Sequence, residues 1–366
     1  MSKKNNLLDF FEDLEDPRRD KCKKHLLIDI VAISVCGVIC GCEAWEEIEE
    51  YGKVKYDWLK GFLSLPNGIP SHDTFNRVFS NLCPANFERC FGQWVASLST
   101  LLDGEVVAID GKTIRGAKVK GVSPIHMVSA WACESNLVLG QVKVGEKTNE
   151  ITAIPNLLET LALEGTTVTI DAMGCQTEIA QKIIDARANY VLAVKGNQPE
   201  LLENITDEFR FNKAVDTSVD VDYGHGRIET RTCSVVSDFM HIENTEKWAN
   251  IKSVVRIESI REFKATGKIE TATRYYITSL NESAEKLQYV VRSHWGIENK
   301  LHWSLDVAFN EDHNRKRKGN ASQNFSLINK IALNLTKQEK TCRLGIKSKR
   351  KKAGWDNPYL ELMLKV

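Results

Sequence analysis

Residues 105–111 read EVVAIDG, and residues 166–174 read TTVTIDAMG. Each is a short run of Val, Ile and Thr closing on an aspartate that a small residue follows. Such β-branched runs, bounded by turn signals, predict buried strands. Asp110 and Asp171 then stand at strand ends, where an open α/β sheet keeps its functional crevice. A carboxylate at the rim of an apolar strand is costly unless something cationic meets it. One such Asp more often caps a turn. Two of them, 61 positions apart and closing like strands, weigh toward a shared site.

Around these strands the texture alternates. IHMVSAWAC (125–133) and NLVLGQVKV (136–144) read as two strands of a hairpin turning at Glu134-Ser135. EITAIPNLLETLALEG (150–165), CQTEIAQKIIDARA (175–188) and QPELLENITDEFRF (198–211) read as helices, with the strand NYVLAVKGN (189–197) between the last two. Early strands followed by strand–helix alternation predict a mixed sheet covered by helices, an α/β fold. Residues 216–280 return to β texture in IETRTCSVV, IKSVVRIESIREF and IETATRYYITSL, and look inserted. After them a long helical pattern runs through SAEKLQYVVRSHWGIENKLHWSLD (283–306).

The first hundred residues are helical in pattern. Leu26–Cys42 is the greasiest stretch, but it is short for a membrane span and carries Asp29, so a buried helix is expected. Ser71 is a fitting N-cap for SHDTFNRVFSNL. Short helices displaying His72 and Arg77 suit either a DNA-binding helix-turn-helix or an ordinary bundle. No secretory signal is legible, and the scattered cysteines lack zinc spacing, so reduced thiols in a cytosolic core are expected. The chain divides by pattern into 1–100 (helical, accessory or DNA-binding), 101–215 (first part of the sheet core), 216–280 (β insertion), 281–335 (last core helix) and 336–366 (basic tail).

Composition is that of a globular protein: 366 residues, mean hydropathy −0.29, and 49 basic against 49 acidic residues. That balance is uneven along the chain. Between Arg315 and Lys352 thirteen Lys/Arg face the single acid Glu339, a local +12 that leaves −12 for the remainder. A basic end on an acidic body suggests a polyanion-binding terminus, carried by Arg315, Lys316, Arg317, Lys318, Lys349, Arg350, Lys351 and Lys352.

A third acid lies at Glu298. On an uninterrupted α-helix His294, Glu298 and His302 share one face. Their spacing is not the HExxH of a zinc hydrolase, although a His–Glu–His zinc site stays open as a distant alternative. Three carboxylates better suit Mg²⁺ or Mn²⁺. Two such ions about 4 Å apart activate an attacking oxygen and stabilise a leaving one in phosphoryl displacement. No convincing Ser–His–Asp or Cys–His arrangement competes.

AIDGKTIRGA, TIDAMG, VKGNQPEL and HWGIENKLHWSLDVAFNED, in that order, resemble the DDE transposases of bacterial insertion sequences, in the ISAs-type branch that includes the H-repeat-associated proteins. DPRRDKCKKH and GIPSHDTFNRVF resemble that branch's accessory region. The resemblance implies a ribonuclease-H-like core interrupted by a β insertion before the last catalytic helix. It implies an acidic triad of Asp110, Asp171 and Glu298 binding two Mg²⁺ (or Mn²⁺), with Asp110 bridging. It also implies DNA-facing surroundings at Lys112, Arg115, Lys195, Asn197, Arg292, His294, Trp295 and Asn299. Related transposases carry Tyr, Arg, Glu and Lys at set intervals near the third acid. Here Tyr289 and Arg292 keep their spacing, Glu298 comes two residues late, and Leu305 stands where the Lys would fall.

The implied activity is Mg²⁺-dependent cleavage and strand transfer of double-stranded element DNA by a homo-oligomer, without a membrane, in the cytoplasm on the nucleoid. The rivals are a relative that binds DNA without catalysis and a Mg²⁺ nuclease that cuts without joining.

Overall fold

The computed structural model describes residues 6–98, 101, 103–117, 124–145, 149–224 and 226–365. Five helices open the chain: α1 (Leu27–Ile39), α2 (Trp45–Val54), the single turn α3 (Tyr56–Leu59), α4 (His72–Asn81) and α5 (Pro84–Leu98). The greasy stretch is indeed a core helix: every residue of α1 from Asp29 to Ile39 is buried. Among the described residues no helix is long and apolar enough to cross a membrane. The described cysteines are all unpaired thiols, most of them buried.

The sheet begins with β1 (Val106–Ile114), β2 (Ile125–Ala132) and β3 (Leu137–Lys143), an antiparallel meander whose second turn has Asn136 at φ 54°. Helix α6 (Glu150–Leu158) crosses to β4 (Thr167–Ile170), and α7 (Thr177–Asp185) crosses to β5 (Asn189–Val194). Both crossovers give parallel pairing, so β1, β4 and β5 lie side by side. Their Val/Ile-rich composition follows, since helices cover a parallel sheet on both faces.

After α8 (Pro199–Phe211) the β segment contributes β6 (Asp216–Gly224), β7 (Arg227–Val236), β8 (Ser253–Phe263) and β9 (Ile269–Thr278). It is not a separate module. β9 pairs antiparallel with β5, and one nine-stranded sheet results in the order β3-β2-β1-β4-β5-β9-β8-β7-β6. One of the four strands, β6, has no counterpart among the three runs read from sequence.

The expected long helix is broken. α9 (Ala284–His294) is followed by a π-helical turn (Ile297–His302), in which the Trp303 N–H donates to the Glu298 carbonyl, and then by α10 (Trp303–Phe309). Beyond lie α11 (Ala321–Gln338), α12 (Ile346–Trp355) and α13 (Asn357–Leu364). α11 is buried on all sides between α1 and the sheet. Its Asn334 accepts from the Val138 N–H at 2.9 Å and donates to the Val138 carbonyl at 3.0 Å. That side chain imitates a neighbouring strand and closes the open edge at β3.

The basic carboxy-terminal segment is folded rather than an appended tail. Arg350 of α12 donates to the Val38 carbonyl at the end of α1 (2.7 Å) and stacks 4.1 Å from the Phe309 ring. One apolar core runs from Leu7 to Met363, joining the amino-terminal helices, the sheet and the carboxy-terminal helices.

Candidate active site

The register of β1 and β4 decides where the aspartates fall. Ile109 stands opposite Ile170 on the adjacent parallel strand, so Asp110 and Asp171 are the next residues on each. β4 ends there while β1 continues paired to β2 alone. Asp171 also caps a short turn, accepting from the Met173 N–H at 3.0 Å. Burial, and then the charge of Glu150, push its carboxyl above the ordinary range, while nearby Lys195 pulls the other way. Asp110 is pushed further, to about 7. Burial is the main cause, and Glu150, Asp171 and Glu298 add to it against one favourable backbone N–H at Gly111. The three expected acids thus form one electrostatic group, with the exposed Glu298 carried on the π turn against β1.

The π turn changes what the two histidines do. A π turn advances the chain by more residues per revolution than an α-helix and is common at functional sites, so His294, Glu298 and His302 do not share the face that α spacing predicts. The His294 ring is paired with Thr169 Oγ1 on β4 at 3.0 Å, and burial lowers its pKa to about 4. The His302 Nδ1 lies 3.6 Å from Asp110 Oδ2, beyond hydrogen-bond range. Burial, then Lys330 and Lys112, lower its pKa to about 3, so it is neutral beside Asp110. Both are packing residues of the helix–sheet joint, and among the described residues no three His, Cys, Asp or Glu side chains gather into a metal-binding group. The His–Glu–His zinc arrangement is therefore absent.

Two residues that sequence reasoning passed over complete the cluster. Glu150, the first residue of α6, pairs with His126 Nε2 at 2.6 Å, and His126 Nδ1 meets Thr113 Oγ1 at 2.8 Å. Their place explains the glycine of IDGK. A Cβ on Gly111 would stand 2.1 Å from Glu150 Oε1 and 2.4 Å from His126 Nε2. The bare backbone lets a fourth carboxylate come over the strand beside Asp110.

The basic residues divide into two sets. Lys195, Asn197, Trp295 and Asn299 are exposed near the acids, and Asn197 also donates to the Ala172 carbonyl at 2.6 Å. Trp295 has Arg274 5.4 Å from its ring. Arg115, Arg315, Arg317, Lys318 and Lys351 point outward, with Lys352 half-buried against the Tyr359 ring. Arg292 is exposed but ion-paired with Asp220 (2.5 Å) and Asp222 (3.8 Å) of β6.

The second set faces inward, contrary to the DNA-facing expectation. Lys112 is held by Asp306 (2.6 Å), Glu311 (3.1 Å) and Asp312 (3.4 Å), which tie the end of β1 to the turn after α10. Lys316 sits 3.5 Å from the Phe325 ring and 5.0 Å from Trp45, donates to the Glu43 carbonyl, and is pushed by burial to about 7. Lys349 reaches Glu339, and Arg350 reaches Val38. Each has a partner within the fold, so these side chains, like His294, are structural.

Asp110, Asp171, Glu150 and Glu298 act on one another as charges, with His126 against Glu150, His302 beside Asp110 and exposed Lys195 near Asp171. Carboxylates are the donors a hard divalent ion such as Mg²⁺ or Mn²⁺ takes, but among the described residues no three of them stand close enough together to form a metal-binding group.

Comparison with known proteins bears on the whole chain. A model of the family described as "Transposase DDE domain" matches residues 102–335, and one described as "DDE_Tnp_1-associated" matches residues 8–95. The chain is 43% identical to "Putative transposase YncI" of Escherichia coli O157:H7 over 98% of its own length and 94% of that protein's. It is 40% identical to "H repeat-associated putative transposase YhhI" of Escherichia coli (strain K12), over 98% and 97% of the two chains. "Inactive transposase YbfQ" of the same strain is 48% identical over 15% of this chain and 67% of its own. The mixed sheet with its covering helices is the ribonuclease-H-like core of such proteins, and the chain belongs to the DDE transposase family.

Proposed function

We propose that this protein is an active DNA transposase that cleaves and joins insertion-sequence DNA at Asp110, Asp171 and Glu298. The observation that carries this reading is the register at Ile109 and Ile170, which sets two aspartates side by side within the field of Glu298. Asp110, Asp171 and Glu298 would hold Mg²⁺ or Mn²⁺. Bound there, such ions lower the pKa of an attacking water or 3′-hydroxyl and neutralise the leaving oxygen.

The chain's own contribution is placement. Asp110 sits on a continuous strand whose end is tied by Lys112 to the turn beyond α10. His294 pins α9 to β4 and so fixes where the π turn delivers Glu298. Neutral His302 fills the space beside Asp110 without adding a charge. Glu150 adds negative charge and is braced by His126. In-line displacement at phosphorus needs such positioning and charge compensation more than a nucleophilic side chain. Exposed Lys195 stands at the end of β5 to meet a phosphate of the DNA. Cutting two element ends together calls for at least two copies of the chain.

The test is cleavage of duplex carrying the sequences that flank this gene, in Mg²⁺ or Mn²⁺, with Asp110→Asn and Glu298→Gln alongside. Nicks with free 3′-hydroxyls at the element boundary, absent in both variants, are expected, followed by joined products on target DNA. Cutting without joined products would reduce the protein to a nuclease. Tight binding without cutting in either metal would leave a DNA-binding relative that has lost catalysis.

A further inference from the structure

A groove of about 700 Å³ opens on the helical end of the molecule, between the 17–25 segment and α4. Arg18, Arg19, Lys21, Lys24 and Arg77 line it, and no described carboxylate does. The chain as a whole is neutral, so this is a local concentration of one sign. The acids nearest in sequence are engaged elsewhere. Asp16 takes a two-pronged bond from Arg18 (2.9 and 2.7 Å), Asp20 pairs with Lys23 at 2.9 Å, and Glu49 holds Lys53 and His72. Asp73 lies 3.8 Å from His72 on the first turn of α4. Arg19, Lys21, Lys24 and Arg77 are exposed, and none makes an ion pair among the described residues.

The groove is also built rather than incidental. The buried Arg18 guanidinium donates to the His25 carbonyl at 2.7 Å, the His25 ring meets the Gly68 carbonyl at 3.2 Å, and Asn67 donates to the Lys24 carbonyl. One arginine thus surrenders its charge to Asp16 and holds the loop against the 65–69 turn, leaving its neighbours displayed. Gathering four free cations in a concavity costs repulsion that a bound polyanion relieves. Several cations along one open groove match a chain of phosphates better than one small anion.

α4 stands between this groove and a second cavity. Thr74 and Arg77 face the groove, while Asn76 borders the second cavity, which is lined by Arg315, Arg317 and Lys318 and equally by Glu43, Glu46 and Glu47. Arg317 in turn donates to the Gly116 carbonyl just beyond β1. The second cavity is thus of mixed sign, and the surface lined by cations without a described carboxylate is the groove itself.

We infer that the groove binds the phosphate backbone of duplex DNA, independently of base sequence. That the polyanion is DNA rests on the transposase reading. The experiment uses the full chain carrying Asp110→Asn and a labelled 40-base-pair duplex, with anisotropy read from about 50 to 300 mM salt. The triple change Arg19→Ala, Lys21→Ala, Arg77→Ala is expected to weaken binding at least tenfold at the higher salt and to make the log–log salt slope shallower by about 2–3. A control triple of exposed lysines outside the groove, Lys213→Ala, Lys247→Ala, Lys264→Ala, should leave the slope within about 0.5 of the parent. Restoring charge with Arg19→Lys, Arg77→Lys should keep the parent slope, which a merely structural role of the arginines would not do. Equal slopes for parent and groove triple, or an equal loss in the control, would overturn the inference while DNA binding stood. Failure of the parent to bind any duplex would instead overturn the transposase reading itself.

Discussion

Replacing Asp110 by Asn should abolish cleavage and, in the absence of divalent metal, make the protein more stable at alkaline pH. The carboxyl titrates at about 7 rather than 3.8 because burial and three neighbouring acids oppose its charge. An acid whose pKa is raised by folding keeps its proton in the native state over a range where the unfolded chain has lost it. Stability is therefore highest below the unfolded pKa, falls as pH rises from about 4 to about 7, and is flat above. The gap of about three pH units corresponds to about 4 kcal/mol. This is an upper bound, because the side chain keeps 19% of its exposure and its neighbours titrate with it. Asparagine has nearly the same shape and no charge, so the metal-free variant should gain about 2–4 kcal/mol at pH 8 and little at pH 4. For a chain of 366 residues that is a rise in Tm of about 3–5 °C. Thermal and urea unfolding in EDTA at several pH values would measure it. Millimolar Mg²⁺ should then stabilise the wild type at pH 8 and not the variant. An Asn variant no more stable than wild type at pH 8 would mean that Asp110 carries no uncompensated charge, and the electrostatic argument for a cation site would fail.

Glu150→Gln removes a charge that raises both Asp110 and Asp171, so carboxyl NMR of the metal-free protein should show Asp110 ionising at lower pH; an unmoved titration would exclude Glu150 from the site. Gly116→Ala would drive a Cβ to 2.6 and 2.7 Å from the Asp312 and Asn314 carbonyl oxygens. Because backbone must move, a loss of about 1–3 kcal/mol is expected in urea unfolding, and a neutral result would contradict the close approach of that turn to β1. Lys330 is fully buried, donates to Gln141 (2.6 Å) and Ser326 (2.9 Å), and burial lowers its pKa to about 8. It also helps Lys112 keep buried Glu311 ionised. Lys330→Met should cost about 3–5 kcal/mol by leaving Glu311 short of a partner, and a cost under about 1 kcal/mol would show that Lys112 suffices.

The strands that carry the aspartates were legible because fully buried parallel strands are written in Val and Ile, as in VVAID and TVTID. β6 was not, because TSVDVDYG alternates valine with aspartate. As an outer strand it turns Val219 and Val221 to solvent and Asp220 and Asp222 toward Arg292. The π turn was not legible, because the sequence pattern was read at the 3.6-residue spacing of an uninterrupted α-helix. Glu150 was hidden by its ordinariness. An acid on the first turn of a helix is the default choice against the helix dipole, and its link to His126 across 24 positions is tertiary.

Charge misled in a similar way, because a run of Lys and Arg reports composition and not direction. Of the thirteen cations from Arg315 to Lys352, Lys316, Lys330, Lys349 and Arg350 are buried, so at most nine can release counterions from phosphate. The ceiling on the run's contribution to the salt slope then falls from about −12 to about −8. Lys316 discriminates most sharply, because its neighbours Arg315 and Arg317 are exposed while its own ammonium is boxed by Trp45 and Phe325. Lys316→Met should leave the salt slope of duplex binding where it was, whereas Arg317→Ala should lower it by about one. A drop of about one for Lys316→Met would mean that the side chain leaves its aromatic box on DNA, and that the inward set is a property of the free protein alone.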